Sequence, residues 1–218
     1  MQPPRPSAPA PTARPFRHNR PLQAMTGWLV VLWCITAVRP LYPRDWLLEN
    51  LLVFVSAAVL LATYRRFAFS NRAYALFTVF LSLHLVGAHY TYSEVPLGFW
   101  VQEALGLSRN HYDRLVHFGF GLLLSEPVRE LLLRAAGARP GWAALLAVFV
   151  VAGFSALYES LEAITAIVVS PELGAAYLGT QGDPWDAQKD GARAIAGAAL
   201  AMSVAMLAAR RWRVSRSV

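Results

Sequence analysis

Six apolar runs alternate with short polar segments along the 218-residue chain. A helix needs about 17 to 25 largely apolar residues to cross the hydrocarbon core of a bilayer, and each run is close to that length. Because backbone polar groups must be satisfied within the segment in lipid, spanning segments of this kind are helices. The pattern therefore predicts an all-α fold, a polytopic transmembrane helix bundle of about six spans. These spans cover residues 24–38, 46–64, 73–92, 115–133, 142–169 and 191–209.

Three of the predicted spans are less regular than the others. The first is short unless Leu22 and Leu41 extend it. Carboxylates interrupt the fourth and the fifth, so an interfacial or re-entrant helix is the alternative for both. The fifth is also long enough to tilt or break.

The two ends of the chain differ in composition from the predicted bundle. Residues 1–21 contain seven prolines and four arginines, a composition that cannot bury a core, and we expect a disordered cytoplasmic tail. Residues 22–212 form the predicted six-helix transmembrane domain. Residues 213–218 form a basic cytoplasmic tail.

The basic residues indicate which loops face the cytoplasm, because cytoplasmic loops carry an excess of lysine and arginine. Six spans from a cytoplasmic N-terminus place 14 of the 20 basic residues inside, and the bias alternates from loop to loop. The pattern therefore predicts that both termini are cytoplasmic. The basic residues left outside are Arg39, Arg44, Arg109, Arg114, Lys189 and Arg193.

The overall composition excludes several classes of protein. Hydrophobic residues make up 56% of the chain and charged residues 15%, which is too apolar for a typical soluble domain. The net charge of +7 reflects membrane topology, because the arginines form no basic face interleaved with aromatic residues for nucleic acid. The single cysteine, Cys34, excludes an intramolecular disulfide and a thiolate metal site. We predict a multi-pass protein of the plasma (inner) membrane whose partner is the lipid bilayer, with no nucleic acid.

Ionisable residues gather near the outer ends of the third to sixth predicted spans. Their depths coincide when they are estimated from a rise of about 1.5 Å per helical residue. Convergence from four helices at one depth is more informative than any single residue. The group consists of His89, Asp113, His117, Glu159, Glu162, Asp186 and Asp190.

Six of these residues form three pairs, each spaced three or four residues apart. Residues at this spacing share one helix face, so each helix can present two groups in one direction. All seven residues are candidate ligands of a divalent metal such as Zn, Mn or Mg, and oxygen ligands favour the latter two. Four of them are also candidate catalytic acids and bases, namely Asp113, His117, Glu159 and Glu162.

A structural role is the alternative for several polar residues. Acidic residues at helix ends are often solvated or cap the helix, and this applies to Asp186 and Asp190. Glu159 and Glu162 follow a long apolar stretch, where a carboxylate is costly unless it is paired or lines a polar cavity. His84 fits an interhelical hydrogen-bonding residue.

Two further features concern the charged residues outside this group. Glu126 lies deeper than His117 in the fourth predicted span, Arg129 and Glu130 are expected at the cytoplasmic surface, and a structural ion pair is the better explanation there. Two glycines and a proline in the loop 179–186 predict a compact turn that presents Gln181 and Asp183 above the group. That loop is either a lid or substrate clamp, or a tight connection before the last span.

Three ordered strings carry a resemblance to a known family. They are residues 111–118 (HYDRLVHF), 155–162 (SALYESLE) and 179–190 (GTQGDPWDAQKD). Together they resemble the YjdF-like inner membrane proteins, an uncharacterised bacterial family, over residues 24–209. The resemblance implies a plasma membrane protein and supplies no reaction.

A more distant similarity is to the VanZ-like membrane proteins, which are linked to glycopeptide-antibiotic resistance. The polar positions of residues 113–117, 159–162 and 186–190 look like that family's pattern with substitutions. Arg114 stands where the pattern has lysine, and Glu162 where it has glutamine. The similarity implies the same polar positions and no defined mechanism.

Three functional interpretations remain open. The first is a metal-binding site at the outer membrane face that acts on an envelope lipid or other amphipathic substrate, with Glu159 or Glu162 as general base in a hydrolase. The second is a proton-coupled transporter in which the same carboxylates relay protons. The third is a non-catalytic structural membrane protein whose polar group joins helices. The sequence does not decide whether the chain is an enzyme, or its oligomeric state.

Overall fold

A computed structural model describes residues 15–214, and this part of the chain is helical with no β-strand. The predicted all-α class is therefore confirmed. A short 3-10 helix, Phe16–His18, precedes the α-helices. These are α1 (Arg20–Thr36), α2 (Pro43–Thr63), α3 (Asn71–His89), α4 (Pro96–Leu105), α5 (Tyr112–Arg134), α6 (Pro140–Val168), α7 (Pro171–Leu178) and α8 (Asp186–Val214).

Each of the six predicted spans corresponds to one long helix, namely α1, α2, α3, α5, α6 or α8. Within residues 15–214, three helices are long and apolar enough to cross a membrane: α2, α6 and the Asp186–Ala209 part of α8. By contrast, α1 has only 17 residues, and α5 carries charged residues along its length. The count of six spans and the cytoplasmic termini therefore stay predictions.

The fourth and fifth predicted spans are continuous helices. The helix α5 runs for 23 residues with Pro127 inside it, and α6 runs for 29 residues without a break. Two short helices, α4 and α7, were not predicted. Each begins with a proline and ends at a glycine in the left-handed conformation, Gly106 and Gly179, as helix-ending glycines commonly do.

The helical part begins inside the predicted N-terminal tail. The side chain of Asn19 caps α1 by accepting a hydrogen bond from the backbone N–H of Leu22 at 3.3 Å. Its amide also donates to Asn71 at 2.8 Å, which ties the start of α1 to the start of α3. Residues 1–14 of that tail, and residues 215–218 of the predicted C-terminal tail, lie outside the described residues.

The helices α5 and α8 approach each other closely through two glycines. A Cβ atom on Gly121 would lie 1.8 Å from the carbonyl oxygen of Ala194, and one on Gly197 would lie 2.2 Å from that of Phe118. Small residues of this kind allow transmembrane backbones to approach. This contact aligns the start of α5 with the start of α8.

The surface of the bundle is apolar. Large hydrophobic side chains are exposed, among them Leu61 at 77% and Ile167 at 83%, as expected where the solvent is lipid. The ion pairing expected around Glu126, Arg129 and Glu130 is confirmed: Nη1 of Arg129 lies 3.2 Å from Oε1 of Glu126, and Glu130 pairs with Arg134. Glu126 lies on α5 about 13 Å along the axis from His117, at a rise of about 1.5 Å per residue.

Candidate functional site

Acidic residues from four helices, α2, α5, α6 and α8, gather at one end of the bundle. Side-chain contacts join the beginnings of α2, α5 and α8 to the later turns of α3 and α6. Five helices therefore supply one polar region, in agreement with the depths estimated from the sequence.

His117 on α5 lies between two carboxylates from different helices. Its Nε2 atom is 3.5 Å from Oδ1 of Asp113, one turn earlier, and 3.4 Å from Oε1 of Glu159 on α6. Both distances exceed the roughly 2.7 to 3.2 Å of an N–H···O hydrogen bond. The imidazole therefore faces two anionic groups without forming a short hydrogen bond to either.

Three aspartates form a second part of the region. Carboxylate oxygens of Asp113, Asp186 and Asp190 lie within 4.8 Å of one another. Asp186 is 5% exposed and Asp190 is 2% exposed. Oδ1 of Asp190 accepts no hydrogen bond from the described residues, and Nη1 of Arg193 is 3.9 Å away from it.

Two arginines that precede or begin α5 lie beside these aspartates. Nη1 of Arg109 is 2.6 Å from Oδ1 of Asp186 and also donates to the carbonyl oxygen of Thr180 at 2.9 Å. Nη2 of Arg114 is 2.6 Å from Oδ2 of Asp183 and 3.4 Å from Oδ1 of Asp186. The two guanidinium groups thus hold the loop before α8 against the start of α5.

The loop 179–186 is as compact as predicted. Gln181 uses both ends of its amide on the backbone of Asn110: its Nε2 donates to the carbonyl oxygen at 3.0 Å, and its Oε1 accepts from the N–H at 3.2 Å. Lys189 donates to Asp183 at 2.6 Å. This hydrogen bond, together with the nearby charges of Lys189 and Arg114, lowers the pKa of the Asp183 carboxyl to about 2.

A buried polar network extends the region toward α2 and α3. The hydroxyl of Tyr158 on α6 donates to Oε2 of Glu49 on α2 at 2.8 Å, and Glu49 is 2% exposed. Nε2 of His84 lies 3.1 Å from the carbonyl oxygen of Glu49, and its Nδ1 is bonded to the hydroxyl of Tyr92. The prediction that His84 forms an interhelical hydrogen bond is confirmed.

An unusual turn places Tyr92 in this network. Thr91 and Tyr92 both adopt the left-handed conformation, with φ of 52° and 49°. Non-glycine residues rarely do so unless the surrounding structure imposes it. The ring folds back over Gly87, where a Cβ atom would lie 2.7 Å from it. The glycine therefore makes room for the Tyr92–His84 contact.

Six of the seven predicted residues belong to this region. Glu162 lies one turn beyond Tyr158 and interacts electrostatically with Glu49, Glu159 and Asp113. His89 is the exception, because its Nδ1 atom is 2.9 Å from the carbonyl oxygen of Thr36 at the end of α1. The hydrogen bond of His89 joins α1 to α3, while His84 supplies the contact of α3 with the acidic region.

Sequence reasoning missed several members of the region. Asp45 and Glu49 are four apart at the start of α2 and are 0% and 2% exposed, so the spacing argument could have found them. The sequence analysis did not place Arg109 and Arg114 among the candidate site residues. Their contacts with Asp186 depend on a turn between α7 and α8 that periodicity does not specify.

The arrangement offers three chemical possibilities. Carboxylate oxygens with one imidazole suit a hard divalent cation. Glutamates and tyrosines in one buried network can carry protons. The guanidinium groups of Arg109 and Arg114, which pair with Asp186, are of the kind that binds anionic groups.

Comparisons with known proteins place the chain in a family. Residues 21–211 match the family described as predicted membrane protein (DUF2238). The inner membrane protein YjdF of Escherichia coli (strain K12) is 43% identical over 188 residues, which are 86% of this chain and 88% of that protein. No solved structure matches. The chain belongs to the DUF2238 family, so the resemblance to YjdF-like proteins and the multi-pass inner membrane location are confirmed; the VanZ-like similarity finds no support.

Proposed function

We propose that this member of the DUF2238 family is a six-span protein that binds one divalent cation at Asp113, Asp186 and Asp190. The observation that carries the proposal is the separation of at most 4.8 Å between their carboxylate oxygens. Around Mg²⁺ at about 2.1 Å, octahedral oxygens lie about 3 Å apart when adjacent and about 4 Å apart when opposite. The three aspartates need only a small inward movement to reach that spacing.

Two unsatisfied oxygens support a cation in this region. Oδ1 of Asp190 and Oε1 of Glu159 are buried and accept no hydrogen bond from the described residues. A buried carboxylate oxygen without a hydrogen bond is costly, and a cation offsets that cost directly. His117 faces Glu159 and Asp113 from one nitrogen atom, and in this proposal it orients both carboxylates.

The substrate that fits the site is an envelope lipid or another amphipathic molecule with an anionic headgroup. In the proposed topology, with cytoplasmic termini, the region opens at the outer membrane face. The guanidinium groups of Arg109 and Arg114 lie beside Asp186 and can bind an anionic headgroup. A bound cation supplies Lewis-acid chemistry. Glu159 then acts as the general base of a hydrolysis, with Glu162 behind it.

Metal analysis of the purified protein tests the cation. We expect one Mn²⁺ or Mg²⁺ per chain after equilibration in detergent, and loss of that metal in Asp190→Asn. Glu103→Gln is the matched control, because Glu103 is an exposed carboxylate on α4. A protein that binds no divalent cation, or an Asp190→Asn variant that retains it, contradicts the proposal.

Envelope lipid analysis tests the reaction. Cells that produce Glu159→Gln are expected to accumulate a lipid that the wild-type chain consumes, while the purified variant retains its metal. Identical lipid profiles in the two strains would contradict the hydrolase. Reporter fusions to both termini test the topology, and an outward-facing terminus would overturn the six-span arrangement.

A proton-coupled transporter is the second candidate, and the buried network of Glu49, Tyr158, His84 and Tyr92 favours it. Buried polar chains across several helices are typical of proton relays. In this case Glu49→Gln abolishes proton-driven uptake by proteoliposomes without changing metal content. Uptake that does not respond to a pH gradient would count against this candidate.

A further inference from the structure

An apolar cleft lies between α1, α2 and α3. Its volume is about 540 Å³, within the roughly 300 to 1,000 Å³ of ligand pockets. It shares no residue with the acidic region. Its walls include Leu29 of α1, Val53 and Ala57 of α2, and Leu81 of α3.

The two ends of the cleft differ in the side chains that line them. At one end, Nε1 of Trp33 donates to Asn50 at 2.7 Å, and the Trp33 ring lies 6.1 Å from that of Phe54. Ten residues separate Val53 from the end of α2 at Thr63, or about 15 Å at a rise of about 1.5 Å each, and Arg65 follows two residues beyond that end. This length is close to half of the roughly 30 Å hydrocarbon core, the depth of one leaflet.

Most side chains that line the cleft are apolar. The hydroxyl groups of Thr26 and Thr78 line the cleft but donate to backbone carbonyls one turn earlier, those of Leu22 and Tyr74. The walls therefore suit a hydrocarbon chain. The other end is different, because Arg65 lines it and Arg66 follows, and both arginines are exposed. No ion pair of either arginine is found among the described residues.

From these observations we propose that the cleft binds an anionic glycerophospholipid, with an acyl chain between α1 and α2 and its phosphate beside Arg65. The apolar walls match the chain, the length matches one leaflet, and the unpaired guanidinium matches the headgroup charge. Bulky side chains line the cleft, whereas the α5–α8 contact uses small residues as helix interfaces in membranes usually do. The proposal does not depend on the cation site.

Native mass spectrometry of the full chain tests this proposal with added phosphatidylglycerol and phosphatidylcholine. We expect one retained phosphatidylglycerol, preferred over phosphatidylcholine. Ala57→Phe fills the cleft and is expected to abolish retention, while Ala58→Phe, an exposed neighbour outside the lining, leaves it unchanged. Arg65→Gln is expected to weaken binding about fivefold, the equivalent of about 1 kcal/mol for a basic residue near an anionic headgroup.

A second charge variant separates a specific site from general surface charge. Arg139→Gln removes an exposed arginine outside the cleft and is expected to leave phosphatidylglycerol binding unchanged. Equal retention by Ala57→Phe and Ala58→Phe would overturn the proposal. So would a dimer that Ala57→Phe dissociates, since the cleft would then hold a second copy of the chain.

Discussion

The imidazole of His117 lies 3.4 Å from the carboxylate of Glu159, although the two residues belong to different helices, α5 and α6. This contact joins the fourth and fifth predicted spans, the two that carboxylates interrupt. Because an intramembrane carboxylate and an imidazole are both costly alone, their pairing explains how α5 and α6 tolerate them. The same contact makes the pair the first target for mutation.

A double-mutant cycle should detect the coupling between these two residues. Using His117→Ala and Glu159→Gln, we expect a coupling free energy of unfolding of about 1 kcal/mol, as for polar pairs in other membrane proteins. Unfolding in a denaturing detergent gives the measurement. The matched cycle of His89→Ala with Glu159→Gln should give a value near zero, since His89 bonds to Thr36 instead. Equal couplings in the two cycles would refute this prediction.

The close approach of α5 and α8 should depend on Gly121. In Gly121→Ala the new methyl group meets the carbonyl oxygen of Ala194, and overpacking of this kind costs about 1 to 3 kcal/mol. Thermal unfolding should therefore occur at a lower temperature. Gly153→Ala on α6 is the control, because open space surrounds that position and alanine favours the helix by about 1 kcal/mol. If Gly121→Ala unfolds at the same temperature as the wild-type chain, the two helices can move apart without cost and the prediction is wrong.

Removal of the Tyr158 hydroxyl should destabilise the chain. In Tyr158→Phe the buried Glu49 loses the hydrogen bond of 2.8 Å, and an unsatisfied buried acceptor costs about 1 to 3 kcal/mol. Detergent-induced unfolding should occur at a lower denaturant fraction. Tyr42→Phe serves as control, because its hydroxyl contacts Glu94 at the exposed surface, where a change is within about 0.5 kcal/mol. Similar losses of stability in Tyr158→Phe and Tyr42→Phe would show that the hydrogen bond to the buried Glu49 contributes no more than one at the surface.

The carboxyl of Asp183 should titrate at unusually low pH. Its pKa is about 2, below the ordinary 3.8, mainly because of the hydrogen bond from Lys189. A lowered folded-state pKa stabilises the fold above pH 3.8, and this contribution is lost as the pH falls toward 2. Carbon NMR of labelled aspartate gives the midpoint. Lys189→Gln should raise the midpoint of Asp183 toward 3.8 by more than Arg114→Gln does. A midpoint that stays near 2 in Lys189→Gln would show that Lys189 does not cause the lowered pKa.

The sequence by itself determined the six long helices and the level of the polar residues. Runs of apolar residues specify membrane-length helices because lipid allows few other structures. A fixed rise per residue then gives the depth of each ionisable group, which is why Asp113, His117 and Glu159 were expected at one end. The compact loop 179–186 was also expected, because glycine and proline restrict the backbone locally.

Only the tertiary structure decided which of these groups meet. Depth along a helix does not determine the rotation of that helix about its axis or the identity of its neighbours. For this reason His84 reaches the acidic region while His89, five residues later, bonds to α1. Glu49 and Arg109 likewise enter through contacts with Tyr158 and Asp186. Such contacts depend on helix packing, for example the approach of α5 to α8, which local sequence patterns do not encode.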